Sequence, residues 1–112
     1  MIDLMHITHR AEWLKALEGG SYRADSLDTQ GFIHCSTPAQ VVATASRYYR
    51  GTHGLVLLCI DSRQLVSEVR WENLEGGKEP FPHIYGPLNL EAVEKVIEFE
   101  PGEDGLFTLP EY

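Results

Sequence analysis

Basic residues are scarce in this chain. Nine Lys and Arg stand against seventeen Asp and Glu in 112 residues, a formal charge of -8. A surface this poor in cations excludes non-specific nucleic-acid binding, which needs Lys and Arg on phosphates. It leaves room for a small anion held in a local pocket. Cysteine is sparse too: Cys35 and Cys59 are the two thiols, too few for a disulfide scaffold. No apolar run approaches the ~18 residues of a membrane-spanning helix. "MIDLMHIT" also lacks the basic-then-apolar order of a secretory leader. Together these absences give the expectation of a cytoplasmic protein with reduced thiols and no membrane partner. GxSxG, GxGxxG and a phosphate-binding glycine loop are missing as well, which argues against a Rossmann or P-loop enzyme. No HxH, HxxxH or CxxC pair occurs, so no metal is expected.

What is present suits one packed domain over residues 1–112. The hydrophobic fraction is 43%, and a chain of this length buries roughly two-thirds of its unfolded surface. The pattern predicts a strand at about 2–7, then a helix capped by Thr8 and stopped by Gly19-Gly20. Trp13, Leu14 and Leu17 supply its apolar stripe, with Ala16 beside it. "SYRADSLDTQ" reads as a polar connection, long enough to suggest a functional segment. "GFIHCS" reads as a short strand. A second helix follows, capped by Ser36 or Thr37, with Pro38 in its first turn and Gly51 at its end. Val41, Ala45 and Tyr48 form its buried face, widened by Val42 and Tyr49. "GLVLLCID" is the buried central strand. A further strand is expected through Val69 and Trp71, and a short strand or turn at "HIYG". "NLEAVEKVIEFEP" fits a helical turn leading into a strand, with a full helix over 89–99 as the competitor. Helices gather in the N-terminal half and strands in the C-terminal half, so the fold class is α+β.

Three of the five histidines share a setting. His6, His34 and His83 each lie among apolar residues beside a strand end or turn, where sites are commonly built. Imidazole can donate, accept, ligate a metal or titrate near neutrality. His9 and His53 read as solvated. His34 and Cys35 are adjacent in a strand and so point to opposite faces, which argues against a Cys–His nucleophilic pair. Cys59 reads as a small buried apolar group. Ser36 and Thr37 stand at a helix N-terminus, whose N–H groups suit an anion such as phosphate. In "FPHIYGPLNL" two prolines frame His83 and Tyr85 as a rigid rim.

The motifs "LMHIT", "GFIHCST" with its "QV" helix, "LVLLCID" and "FPHIYGPLNLEAV", in this order, resemble the bacterial family called domain of unknown function 952. That family in turn is similar to the ADP-ribosyltransferase fold. The resemblance implies two small, mainly antiparallel sheets with two main helices in the N-terminal half. It also implies a cleft for NAD, a small-molecule nucleotide partner. His6 corresponds to the residue that contacts the adenosine ribose, with Thr8 beside it. Ser36 and Thr37 fall where a phosphate is held, and His34 and Tyr85 at the nicotinamide end. His83 is placed to bind the ribose or act as general acid or base. "FPHIYGP" contains no glutamate, where the fold's transferases carry a catalytic one. The implied activity is therefore an ADP-ribosyl transferase or NAD glycohydrolase without that Glu. The alternatives are a nucleotide-binding module without catalysis and a hydrolase with a metal on the three histidines.

Overall fold

A computed structural model describes residues 1–74 and 76–112. The strands are β1 (Leu4–His9), β2 (Ser21–Tyr22), β3 (Ile33–His34), β4 (Leu55–Ile60), β5 (Glu68–Glu72), β6 (Phe81–Tyr85), β7 (Leu88–Asn89) and β8 (Val93–Phe99). The helices are α1 (Arg10–Gly19), α2 (Asp25–Gln30) and α3 (Pro38–Tyr48). Two three-stranded antiparallel sheets, β1-β4-β8 and β3-β6-β5, carry the fold, and β2-β7 form a third, two-stranded one. The α+β class and the small antiparallel sheets are as expected; the third sheet and α2 are additions.

β4 is the centre. Every residue from Leu55 to Ile60 is buried, and β1 and β8 pair with its two edges. Its side chains alternate between two cores. Val56, Leu58 and Ile60 pack with Leu4, Tyr22, Ile33 and Ile84, while Leu55, Leu57 and Cys59 pack with Met5, Val41 and Phe99. A buried aliphatic side chain contributes about 1.5–3 kcal/mol relative to exposure, so this one strand anchors both cores.

Several local expectations need correction. The first helix is capped by His9, not Thr8, because β1 runs to His9. Its buried residues are Trp13 and Ala16, whereas Leu14 and Leu17 are about half exposed. The "SYRADSLDTQ" connection is not structureless: it forms β2 and α2, with Gly31 in the left-handed region at φ 90° closing the short helix. α3 ends at Tyr48, with Tyr49 as its cap, and not at Gly51. Tyr48 turns outward instead of joining Val41 and Ala45. At the C-terminus the helical turn leading into a strand is found as expected, a 3-10 turn at Leu90–Ala92 followed by β8, and the competing full helix is not. Glu94, Val96 and Glu98 set the period of two that a helix could not use.

The start of α3 is tied to the loop before β6. The Gln40 side chain is buried; its Oε1 accepts from Thr37 N–H at 3.0 Å and its Nε2 donates to the Pro80 carbonyl at 2.9 Å. Gln40→Ala strands two polar partners. We expect a loss of about 2 kcal/mol, at roughly 1 kcal/mol per bond. That corresponds to a melting temperature lower by about 8 °C, read by differential scanning calorimetry. An unchanged melting temperature would show that water replaces both bonds.

Candidate functional site

His34 and His83 face each other because β3 and β6 pair in register, Ile33 with Ile84 and His34 with His83. In each strand the isoleucine enters the core and the histidine takes the opposite face. Their ring centroids are 5.2 Å apart, edge to face. Phe32 binds the pair together: it stacks on His83 at 4.4 Å and meets His34 edge-on at 4.9 Å and Tyr85 at 5.2 Å. His34 Nε2–H donates to Gln30 Oε1 at the C-terminal end of α2. Cys35 points the other way into the core, as strand alternation requires. Burial pushes its thiol well above the usual range, and that of Cys59 to about 11. Both are free thiols, and neither is poised as a nucleophile.

The decisive neighbour is Glu72, at the end of β5. The β5-β6 hairpin sets Glu72 opposite Phe81 and Arg70 opposite His83. Glu72 Oε1 accepts from the Tyr85 hydroxyl at 2.6 Å and from His83 Nδ1–H at 3.0 Å. The Tyr85 bond first, then His83, holds the carboxyl below its ordinary range, so it is ionised at neutral pH. The same contact raises the Tyr85 phenol. The Arg70 guanidinium lies 4.3 Å from the centre of the Tyr85 ring and pairs with Glu68. A carboxylate can only accept, so Nδ1 of His83 carries a proton, and in the neutral form of the ring the lone pair is on Nε2. Among the described residues Nε2 has no hydrogen-bond partner, and no fully buried side-chain N or O there lacks one. Nε2 is therefore open to the cavity that His83 lines.

That cavity has a volume of about 500 Å³. Both large sheets contribute to it, β1 through Met5 and His6, and the other sheet through His34, Glu72 and His83. One face of α3, including Thr44, Arg47 and Tyr48, supplies a further wall.

His6 occupies a different role from its two partners. It is buried, and both ring nitrogens are engaged: Nδ1–H donates to the His34 carbonyl at 2.5 Å, and Nε2 lies 2.8 Å from the Tyr22 hydroxyl. That hydroxyl is also 2.9 Å from Thr8 Oγ1. Tyr22 has one proton to give. Burial lowers the His6 pKa to about 4, so the ring is neutral, Nε2 takes that proton, and Thr8 turns its own hydroxyl toward Tyr22. His6 thus fixes the backbone beneath His34, and its nitrogens and the Thr8 hydroxyl are not available to a ligand as expected. The backbone donors of Ser36 and Thr37, just before α3, are similarly occupied. Ser36 N–H goes to the Met5 carbonyl, Thr37 N–H to Gln40, and Pro38 has none. The phosphate expected at Ser36 and Thr37 gains no support. Ser36 still lines the cavity, donating to Thr44 Oγ1 at 3.4 Å.

His9 and His53 are exposed, the latter paired with Glu100 at 2.8 Å. Among the described residues no group of three His, Cys, Asp or Glu is arranged to hold a metal ion. With both His6 nitrogens engaged, the three-histidine metal site loses a ligand. No described helix is long and apolar enough to cross a membrane.

Residues 7–96 match the family described as "Protein of unknown function (DUF952)". The fold is similar to that of protein CC0527 from Caulobacter crescentus. Its crystal structure has 34% identity and a TM-score of 0.85, covering 95% of this chain and 93% of that one. Its solution NMR structure has 34% identity and a TM-score of 0.81, covering 95% and 91%. No curated protein matches the chain.

Proposed function

The chain belongs to the DUF952 family, and from that premise we propose that it binds NAD or a related nucleotide in the cavity and cleaves the N-glycosidic bond. The fold is then ADP-ribosyltransferase-like, with its cleft between two small antiparallel sheets. The reading rests on one observation: an ionised Glu72, held by Tyr85 and His83, at the wall of a cavity large enough for a nucleotide portion. The glutamate absent from "FPHIYGP" arrives from the neighbouring strand.

The chemistry follows from charge. Breaking the bond from the ribose C1′ to nicotinamide leaves the electron pair on nicotinamide and positive charge on the sugar. A fixed carboxylate stabilises that charge. Water then adds to C1′ and gives a proton to His83 Nε2, yielding ADP-ribose and nicotinamide; with a protein or nucleotide hydroxyl as acceptor, the same step is transfer. Glu72 keeps His83 in the receptive tautomer. His34 and Phe32 flank it with apolar ring surface.

NAD and ADP-ribose, titrated separately, should shift the NMR signals of the His34 and His83 rings and leave those of His9 and His53 in place. If neither compound moves the His34 and His83 signals, the nucleotide reading fails. A ligand that binds without losing nicotinamide would make the protein a binding module.

A further inference from the structure

Arg47 is the one cation among the described residues lining the cavity. Most other basic side chains are already committed: Arg10, Lys15, Arg23, Arg63 and Arg70 each pair with a carboxylate. Arg47 pairs with none among the described residues, in a chain whose acids outnumber its bases by seventeen to nine. Its guanidinium lies 5.2 Å from the centre of the Tyr48 ring, which orients the fork without occupying its donors. Ala43, Thr44, Arg47 and Tyr48 all line the cavity, a spacing that places them on one face of α3. Thr44 and Ser36 add hydroxyls on the same side. The cavity is therefore polarised, with a carboxylate where β5 ends and an unpaired guanidinium on the helix.

We propose that Arg47, oriented by Tyr48, is the phosphate-binding residue of this cavity, so that the ligand is a phosphorylated N-glycoside and not its nucleoside. This deepens the nucleotide reading and rests on it. The guanidinium supplies two parallel N–H donors to phosphate oxygens. It takes over the role expected of Ser36 and Thr37, whose backbone donors are spent. In an acidic protein, a single cationic point also sets the ligand's direction: its phosphate lies toward α3, and the bond to be cleaved lies toward Glu72.

The test compares wild type with Arg47→Gln and Arg47→Lys, using nicotinamide mononucleotide, nicotinamide riboside and inorganic pyrophosphate as probes in calorimetric titrations. The expected result is affinity for the mononucleotide roughly tenfold weaker in Arg47→Gln, partly restored in Arg47→Lys, with the riboside unchanged. Pyrophosphate should bind wild type and not Arg47→Gln. Equal mononucleotide affinity in wild type and Arg47→Gln overturns the proposal, as does an equal loss for the riboside. The two readings separate cleanly. Arg47-dependent phosphate binding without release of nicotinamide keeps the subsite and removes the catalysis. Nicotinamide release from NAD with an unaltered KM in Arg47→Gln keeps the catalysis and removes the subsite.

Discussion

On the proposed reaction, Glu72→Gln should lower the release of nicotinamide from NAD by about 10²–10³-fold while leaving NAD affinity within a factor of a few. Glutamine has the same shape, and its amide oxygen can still accept from Tyr85 and from His83 Nδ1–H, the two bonds Glu72 makes now. What disappears is the negative charge that faces the sugar as nicotinamide leaves. Ground-state binding does not need that charge; the transition state does, so the loss falls on kcat and not on KM. Single-turnover chromatography of NAD and nicotinamide reads it directly. Equal turnover by wild type and variant would remove Glu72 from the chemistry.

The second large effect concerns stability and pH. His6 is neutral in the folded protein, with its pKa lowered from 6.5 to about 4, mainly because burial disfavours the charged ring. Above pH 6.5 the ring is neutral in both folded and unfolded chains, and its contribution is fully present. From about 6.5 down to about 4 the unfolded chain binds a proton that the folded chain does not. Stability should fall by about 1.4 kcal/mol per pH unit in that window, about 3 kcal/mol in all. Urea unfolding between pH 7 and pH 5 isolates the effect, because Glu72 and Glu100, whose pKa values are lowered, lose their contribution only at lower pH. His6→Gln should flatten the slope. A wild-type curve already flat from pH 7 to pH 5 would mean that the ring is not buried neutral.

Much of the fold was legible in the chain because its signals are local. The six-residue run Leu55–Ile60 could only be a buried strand, and Pro38 with Thr37 marked the start of α3. Opposed faces for His34 and Cys35 followed from strand geometry alone. The site was legible only in part. His34 and His83 met as their positions suggested, but the second ring nitrogen of His6 is taken up by a tyrosine fourteen residues past Thr8, which no local pattern announces. Glu72 is not legible from "FPHIYGP" alone, because it belongs to the strand paired with it. Its signal lay in the hairpin: "EVRWE" puts Glu68, Arg70 and Glu72 on one face, and pairing with "FPHIY" brings that face alongside His83 and Tyr85. The helical period counts Tyr48 among core positions, so the cavity-lining side of α3, with Arg47 and Tyr48, is not legible from it.

The two-sided burial of β4 has a consequence for how accurately the site is assembled. β1 pairs with β4 so that Met5 meets Cys59 and His6 meets Leu58. Sliding β1 by a single residue would exchange the contents of the two cores, driving Met5 and Ile7 against Tyr22 and pushing His6 among Val41, Ala45 and Phe99. There the imidazole would find none of its present partners. The misaligned chain would carry both a packing mismatch and an unsatisfied buried ring, two faults that arise together. The apolar alternation of β4 thus proofreads the placement of His6, and through the His34 carbonyl it sets where that wall of the cavity begins.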